Sequence, residues 1–400
     1  MCSICGGTQF DQIASAIWQS SADRGRDAHG IEITPNNGAW LGNHRATPTT
    51  EVIVPVETQP VGESVKLVFN GIISNDSDLG LREGEADTSV LPRVLDFSNL
   101  KSFRDSLHEK IIGSYAIAVL LPDRSIWLAC NYKPIWILEH KGHFYFSSLK
   151  QHFKVGTPYK MDPYSVRELT SPSSSLSIPR KQYEKALVIC SAGLDSTAVA
   201  AYACKQHGAH NVRLIHFDYD CLATSKEKTC LIDIAKNLKC EFEILKMPSF
   251  GGSSLLGTEG DISEGVGGAE YAHEWVPARN LIMLSLTTGY AEAKKYGHIY
   301  LGTNLEEAGA YPDNEEQFIL DFSSILYGAV QNGIKIEIHS PLGSLMKHEI
   351  VTFGQKYNAP FHLTWSCYRG GEKHCGHCGP CFMRKTAFAR NNLVDPVFNK

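Results

Sequence analysis

The sequence predicts two domains of different fold class, an α+β domain of antiparallel strands followed by an α/β domain with a doubly wound parallel sheet. Short β-type runs separated by turn signals fill roughly the first 150 residues. From residue 185 onward, strands alternate with helices, which is typical of a parallel sheet covered on both faces. Four cysteines within the last 34 residues predict a zinc site that closes the second domain. A chain of 400 residues has room for two or three domains.

Composition excludes several classes of protein. The chain is 43% hydrophobic and 20% charged, which is globular rather than disordered or collagen-like. The net charge of −5 and the lack of a long basic tract argue against strong non-specific nucleic-acid binding. No apolar run approaches the ~18 residues of a spanning helix, and the first residues do not resemble a signal peptide. Several of the 12 cysteines lie in apolar runs, so we expect a cytoplasmic, reducing environment without membrane association.

The first domain is predicted at residues 2–155 and the following linker at 156–183. Its strands are expected where β-type runs meet Pro-Asp, Lys-Pro and Lys-Gly turns, at Val65–Phe69, Ser114–Leu121, Ser125–Cys130 and His143–Ser147. The stretch Thr170–Ser175 has loop composition, and the periodicity fades around it. Few helices are expected in this half.

The second domain is predicted at residues 184–400. Its strands are expected at Lys185–Cys190, Val212–Phe217, Cys240–Leu245, His298–Gly302 and Ile334–Ile338. Its helices are expected at Thr197–Gln206, Ser225–Lys239, Asn280–Lys295, Glu315–Gln331 and Leu345–Tyr357. The Gly/Ser-rich, acidic stretch Phe250–Glu274 is long enough to cover a site.

Cys2 is a candidate nucleophile. Removal of the initiator Met would leave its α-amino group free to act as the base for its own thiol. The supporting segments are Arg24–Gly30, Gly42–Thr47, Leu67–Asn75, Gly84–Thr88, Gly113–Ala116 and Phe146–Ser148. In order and spacing they resemble the motifs of class II glutamine amidotransferases, which implies an αββα fold of the N-terminal-nucleophile type over about residues 2–150.

That resemblance implies a role for each matching residue. Cys2 would attack the glutamine side-chain amide, and Asn70 with the Gly71 N–H would hold the oxyanion. Arg45 would bind the substrate carboxylate and Asp87 the substrate ammonium. Residue by residue, the alternatives are a hairpin turn at Asn70–Gly71, a solvated Arg45 and a capping Asp87. The segment Asn43-His44-Arg45 stands where the family usually has His-Thr-Arg, which leaves one supporting contact open but keeps the arginine.

A polar turn follows the first predicted strand of the second domain. Ser191, Gly193, Leu194, Asp195 and Ser196 would present backbone N–H groups and a helix N-terminus to phosphate. The turn resembles the PP-loop of ATP pyrophosphatases, which implies that ATP, with Mg²⁺, is a substrate, and Lys347 matches a phosphate-binding lysine of that superfamily. Ala192 replaces the second Gly of the motif, which is a mild change at negative φ and a serious one at positive φ.

The tail contains the metal-site pattern. Cys367, Cys375, Cys378 and Cys381 have the spacing of a structural zinc site with four thiolates. His374 and His377 each precede one of these cysteines and are the competing ligands.

The second half as a whole resembles the 7-cyano-7-deazaguanine synthase (QueC) family, from about Lys185 to Phe388. The resemblance rests on His216–Tyr219, Trp275–Asn280, Gly302–Asn304, Tyr311–Asp313, Ser366–Tyr368 and the cysteine run. It implies an acceptor pocket lined by Asp218, Tyr219, Arg279, Asn280, Asn304 and Asp313. The sequence departs from the family at Gly309–Ala310, usually Ser-Gly, and at Asn314, usually Cys.

Together the resemblances imply a homo-oligomeric enzyme in which glutamine supplies ammonia for ATP-dependent conversion of 7-carboxy-7-deazaguanine to the nitrile. The first alternative is amidation of a nitrile base, free or in tRNA or DNA, to an archaeosine-type formamidine. Others are attachment of a deazaguanine to a protein and, outside enzymes, a zinc-ribbon binding module. The intact candidate residues argue against the module.

Overall fold

The computed structural model describes residues 2–46, 58–82, 84–257, 261–265, 274–308 and 311–398. The chain divides into two compact units, residues 1–180 and 181–400. No helix within these described ranges is both long and apolar enough to cross a membrane. Gly309–Ala310 and parts of the predicted loop over residues 250–274 lie outside the described residues.

The N-terminal unit contains eleven described strands and three α-helices. The strands are β1 (Ser3–Gly7), β2 (Ala28–Ile33), β3 (Trp40–Arg45), β4 (Lys66–Ile73), β5 (Gly113–Leu120), β6 (Ile126–Cys130), β7 (Trp136–His140), β8 (His143–Ser147), β9 (Tyr159–Lys160), β10 (Ser165–Glu168) and β11 (Ser171–Ser177). The helices are α1 (Gln12–Ser21), α2 (Leu91–Val94) and α3 (Leu100–Lys110). The strands form two antiparallel sheets, in the orders β2-β3-β1-β8-β7-β9 and β11-β10-β6-β5-β4.

Alternation along the strands determines how these sheets pack. Ile4 of β1 and Phe146 of β8 face Val68 of β4 and share one buried cluster with it, because successive side chains point to opposite faces. Cys5 faces the other way and packs with Ile17 of α1. The second sheet carries α3 on its outer face, where the rings of Phe103 and Trp127 lie 5.8 Å apart. The layers therefore run helix, sheet, sheet, helix, and the N-terminal-nucleophile type of this fold stays a prediction.

The predicted linker is corrected by the structure. Strand β10 pairs with β6, and β11 pairs with β10, so residues 165–177 of the predicted linker form the edge of the second sheet of the N-terminal unit. The Ser-rich β11 was not identified because it is an edge strand with largely exposed side chains, and its composition is that of a loop.

The C-terminal unit contains the predicted parallel sheet. Its strands are β12 (Lys181–Gln182), β13 (Ala186–Ile189), β14 (Val212–Asp218), β15 (Glu241–Lys246), β16 (His298–Tyr300), β17 (Ile334–Lys335) and β18 (Glu337–His339). Its helices are α4 (Leu194–His207), α5 (Thr224–Leu238), α6 (Arg279–Lys294), α7 (Leu305–Ala308), α8 (Glu316–Ala329), α9 (Lys347–Lys356) and α10 (Gly379–Arg390). The main sheet has the order β15-β14-β13-β16-β18, with every pair parallel.

Two buried clusters, one on each face, form the core of this unit. Helices α4, α5, α9 and α10 cover one face of the sheet, and α6 and α8 cover the other. Because α4 follows β13 on one face and α8 follows β16 on the other, the carboxyl ends of β13 and β16 diverge. In open parallel sheets this switch point is where ligands bind.

Candidate functional site

A cavity of about 230 Å³ opens at this switch point. The loop after β13 forms one wall and the segment Leu301–Thr303 after β16 forms another. Of the predicted residues, those that line it are Ser191, Gly193, Leu194, Asp195, Ser196, Tyr219, Arg279, Asn280 and Lys347. The structure thus brings the predicted phosphate loop and part of the predicted acceptor pocket into one cavity.

The loop between β13 and α4 has the form of a phosphate-binding turn. The Ser191 hydroxyl lies 3.2 Å from the Ser196 hydroxyl and accepts the Gly193 N–H at 3.4 Å. Gly193 is the N-cap of α4 without a side-chain cap, so the first N–H groups of the helix are available to an anion. Ala192 adopts a positive φ of 60°, a conformation that glycine adopts readily and alanine does not. Its replacement of the second Gly of the motif therefore strains the backbone.

Lys347 lies between two carboxylates at the edge of this loop. Its ammonium donates to Asp195 Oδ2 at 2.6 Å and to Glu307 Oε1 at 2.7 Å. Burial alone would lower the pKa of Lys347, but the two carboxylates outweigh it and raise the pKa above its usual value. The lysine is therefore a fixed positive charge beside the loop.

The position of Lys347 is set by short-range contacts. It is the first residue of α9, and its own N–H donates to Glu306 of α7 at 2.9 Å. Asn304 caps α7 by accepting the Glu307 N–H at 3.0 Å, and its amide donates to Asp195 at 3.4 Å. The second oxygen of Asp195 is buried and has no hydrogen-bond partner among the described residues. That oxygen is free to accept a ligand or an ion.

A histidine and a glutamate form a second polar pair on the cavity wall. His216 Nδ1 lies 3.0 Å from the Cys190 carbonyl, so this nitrogen carries the proton and donates. Its Nε2 is buried without a hydrogen-bond partner in the described structure and lies 3.9 Å from Glu227 Oε2. Burial raises the pKa of Glu227 to about 7, against an opposing effect of Arg279. Burial lowers the pKa of His216, so near neutral pH this pair holds a proton donor beside a proton acceptor.

Arg279 supplies a second cation to the cavity. It begins α6, and its charge lies close to Tyr219, which lines the cavity beside it. The neighbouring Asn280 N–H donates to Asp313 Oδ2 at 3.2 Å, which fixes the start of the helix. The cavity therefore presents Arg279 and Lys347 as separate positive charges.

The four cysteines of the tail converge as predicted. The sulfur atoms of Cys367, Cys375, Cys378 and Cys381 all lie within 4.8 Å of one another. Four thiolates so close together are the donor set of a structural zinc site, which fits Zn²⁺ and supplies folding energy rather than chemistry.

The competing histidines of the tail are occupied elsewhere. His374 Nε2 accepts the Ser366 N–H at 3.0 Å, and His377 Nδ1 lies 2.9 Å from Glu264. The cysteine cluster is connected to the phosphate loop, because the Trp365 N–H donates to the Ala192 carbonyl at 2.9 Å. Loss of the metal would therefore disturb the loop as well as the tail.

In the N-terminal unit, β4 runs straight through Asn70 and Gly71, which rules out the hairpin-turn alternative. These two residues pair with Ala116 and Tyr115 of β5. A Cβ atom on Gly71 would lie 1.8 Å from the Ser114 carbonyl oxygen, so only glycine fits there. Asn70 is buried and borders a shallow pocket.

Asn43 connects the segments that carry Cys2 and Asn70. Its buried amide donates to the Ser3 carbonyl at 3.1 Å and to the Phe69 carbonyl at 3.3 Å. The residue that departs from the family motif therefore positions β1 against β4. The Cys2 thiol is half-buried and lies 3.8 Å from the Ala46 carbonyl.

The two predicted glutamine-binding residues lie at strand ends of the same unit. Asp87 Oδ2 accepts the N–H of Ile73, the last residue of β4, at 3.1 Å. Arg45 is the last residue of β3 and is paired with Ala28 of β2. Their roles toward glutamine stay predictions.

Comparison with known proteins agrees with the cavity. Residues 185–392 match the family model described as queuosine biosynthesis protein QueC, just over half of the chain. The chain belongs to the QueC family. Proteins named 7-cyano-7-deazaguanine synthase from Sulfolobus acidocaldarius and Saccharolobus solfataricus are each 38% identical to it over 99% of both chains. One of the same name from Koribacter versatilis is 34% identical over 56% of this chain and 96% of its own length. QueC relatives thus occur both with and without a segment as long as the N-terminal unit.

Three residues predicted to line the QueC acceptor pocket do not border the cavity. Asp218 pairs instead with Lys228 at 2.5 Å and Lys246 at 3.0 Å, which keeps its pKa near 2 despite burial. Asn304 lies beneath Asp195, and Asp313 caps α6. Asn304 and Asp313 shape the QueC cavity from behind, because their hydrogen-bond partners Asp195 and Asn280 line it, whereas the two lysines that pair with Asp218 do not.

The sequence reasoning missed Glu227 and Glu307. Glu307 lies three residues after the Gly302–Asn304 segment, beside Glu306, and this pair of adjacent acids was a signal that the sequence offered. Glu227 lies inside α5 among polar residues, and only the turn of that helix brings it to His216.

Replacing Ala192 with valine is expected to destabilise the QueC unit by about 2–4 kcal/mol. A β-branched residue is strongly disfavoured at positive φ, and overpacking this fully buried site adds about 1–3 kcal/mol. Urea unfolding should show the midpoint fall. Ala192→Gly is the matched control and should stay within about 1 kcal/mol of the parent. Equal stability of the valine variant would contradict the left-handed conformation.

Replacing Glu227 with glutamine should change how stability depends on pH. The pKa of Glu227 is near 7 when folded against about 4.5 unfolded, so the folded state binds more protons between these values. Its contribution to stability is complete below pH 4.5 and is lost as the pH rises toward 7, on the order of 3 kcal/mol in all. The lowered pKa of His216 has the opposite effect on stability: the folded protein loses stability as the pH falls below about 6.5, because the unfolded state binds the proton more readily.

The difference between parent and Glu227→Gln therefore isolates the glutamate. Urea unfolding at a series of pH values should show the parent losing stability relative to the variant between about pH 4.5 and 7. Parallel curves would mean that Glu227 titrates normally and is not held as an acid.

Proposed function

We propose that this chain makes 7-cyano-7-deazaguanine from 7-carboxy-7-deazaguanine, using ATP and the amide nitrogen of glutamine. The observation that carries the proposal is the switch-point cavity, in which a phosphate-binding loop and Lys347 lie beside Arg279 and the Glu227–His216 pair. The names of the full-length relatives support the same reaction.

The phosphate loop is suited to the activation step. The start of α4 and Ser191 would bind the ATP phosphates, and Lys347 would neutralise charge on them. The unpartnered oxygen of Asp195 is a suitable ligand for the Mg²⁺ that accompanies ATP. The substrate carboxylate attacks the α-phosphorus, pyrophosphate leaves, and the acyl-adenylate gives the amide with ammonia as AMP departs.

Dehydration of the amide is a second activation of the same kind. The amide oxygen is adenylated with loss of pyrophosphate, both N–H protons are removed, and AMP leaves to give the nitrile. His216 Nε2 is suited to accept one of these protons, since burial lowers its pKa and keeps it a base, and Glu227, with a pKa of about 7, is suited to accept the other when it is ionised. Arg279 and Tyr219 would orient the planar base.

The N-terminal unit would supply the ammonia. Cys2 would attack the glutamine amide, with Asn70 and the Gly71 N–H at the oxyanion and with Arg45 and Asp87 on the amino-acid end. Asn43, by tying β1 to β4, would hold the nucleophile and the oxyanion donor in register. Zinc at the four cysteines would secure the tail against the phosphate loop.

To test the proposal, the full-length protein is incubated with one acceptor at a time, with and without ATP. The glutamine in each reaction carries ¹⁵N in its side-chain amide. Mass spectrometry should show 7-carboxy-7-deazaguanine converted to a ¹⁵N-labelled nitrile only when ATP is present. No conversion with either glutamine or ammonium would overturn the proposed synthesis.

The same assay tests the alternative of formamidine synthesis. Asn314, which replaces the usual cysteine, borders the cavity and could alter the choice of acceptor. Conversion of a nitrile base, free or in tRNA or DNA, to a product heavier by the mass of ammonia without ATP would establish the amidation instead.

A further inference from the structure

A group of histidines and a glutamate lies on β16 and β18, away from the lining of the cavity. His298 is paired with Glu337 across the two parallel strands, and Tyr300 is paired with His339. Since side chains two residues apart share a face of a sheet, His298, Glu337 and His339 project from one side. Their donor atoms all lie within 4.8 Å of one another.

The three donor atoms form a triangle of the size that a metal ion requires. His298 Nδ1 lies 3.0 Å from His339 Nε2 and 3.6 Å from Glu337 Oε2. His339 Nε2 lies 3.8 Å from the same oxygen. A triangle with these sides has a point roughly 2.0 Å from all three corners, which is the bond length of Zn²⁺ to imidazole and carboxylate. In a tetrahedral site with such bonds the corners are about 3.3 Å apart, so the two nitrogens would open slightly and the carboxylate oxygen would move closer to both, with water as the fourth ligand.

The neighbouring residues hold the three side chains in place. The Gln182 amide donates to Glu337 Oε2 at 2.7 Å, and Lys335 pairs with the other oxygen of that carboxylate. The His339 ring stacks on Tyr300 with centroids 4.5 Å apart. Partners that orient the ligands in this way are typical of metal sites, and the partly exposed side chains leave a path for the ion.

We propose that His298, Glu337 and His339 form a second divalent-metal site, one that takes zinc with two imidazoles, one carboxylate and water. The site is separate from the four cysteines and from the phosphate loop. His298 begins β16, and the cavity wall starts at Leu301 after that strand ends. The ion would bridge β16 to the edge strand β18 and stabilise the sheet without contacting the substrate.

Counting zinc in the full-length protein tests the site. After incubation with micromolar free zinc and removal of excess, elemental analysis should find two zinc ions per parent chain. His339→Ala and Glu337→Gln should each hold one, because the cysteine cluster is intact. His210→Ala is the matched control, since its side chain is exposed and outside the triangle, and it should hold two. Gln182→Ala should lower the affinity for the second zinc ion by about 10–100-fold.

Cobalt substitution identifies which site is filled. The cysteine site gives strong thiolate charge-transfer bands, and the histidine–carboxylate site gives only weak visible bands. The parent should show both sets, and His339→Ala should keep the thiolate bands, which also demonstrates that the variant has folded. One zinc per parent chain, or a second zinc that persists in His339→Ala, would overturn the proposal.

Discussion

Replacing Lys347 with methionine should destabilise the C-terminal unit by about 3–5 kcal/mol and abolish ATP-dependent product formation. The lysine is buried and donates to Asp195 at 2.6 Å and to Glu307 at 2.7 Å. Methionine keeps most of the volume but leaves two carboxylates without their cation. The energetic penalty comes mainly from those unpaired charges, and the loss of activity comes from the missing charge on phosphate.

Two further variants separate these effects. Lys356→Met, on the exposed face of the same helix, should change neither stability nor activity appreciably. The triple variant Lys347→Met, Asp195→Asn, Glu307→Gln removes the unpaired charges and should recover much of the stability, while activity stays lost. Urea unfolding gives the first quantity and nitrile production gives the second. Full activity in a folded Lys347→Met variant would exclude the lysine from the phosphate site.

Much of the C-terminal unit could be predicted because its signals are local. Each predicted strand and helix there matches an observed element within a few residues, apart from the final strand, which divides into β17 and β18. The four cysteines could be assigned from spacing, because the tight turns between them allow few other arrangements. Lys347 could be found because a motif marks it.

The parts that could not be predicted depend on long-range packing. Glu227 reaches His216 only after α5 packs against β14, and nothing in the local sequence distinguishes it from a solvated helix residue. Asp218 was expected in the cavity from the family resemblance, but it pairs with two lysines, which come from α5 and β15. The strand β11 was predicted as linker because an exposed edge strand carries no alternation of apolar residues.

Asn43 shows how a departure from a motif can be understood from structure. The sequence indicated only that a family histidine is missing. The structure shows that the buried Asn43 amide donates to the carbonyls of Ser3 and Phe69, which precede or follow Cys2 and Asn70 by one residue. A carboxamide can make both contacts because its NH₂ group carries two hydrogens. Asn43 therefore ties β1 to β4 directly.

Replacing Cys2 with alanine should reduce glutamine-driven nitrile formation by at least about 10³-fold, because the variant lacks the thiol proposed to form the thioester with glutamine. Production driven by added ammonium should stay within about twofold of the parent, because the proposed activation step uses only residues of the C-terminal unit. Side-by-side initial rates with the two nitrogen sources give this comparison directly. The ratio of the two rates is the informative quantity, since it cancels differences in expression and stability.

Cys5→Ala is the matched control. Cys5 lies three residues further along the same segment, but its thiol is fully buried between Ser21 and the Gly42 carbonyl, away from the shallow pocket. Its loss should lower stability through a small cavity and leave the ratio of the two rates unchanged. If Cys2→Ala left the glutamine-driven rate intact, the N-terminal unit would not be the source of ammonia. If the folded Cys2→Ala variant lost the glutamine-driven and the ammonium-driven rates equally, glutamine hydrolysis and nitrile formation could not be separate steps linked by ammonia.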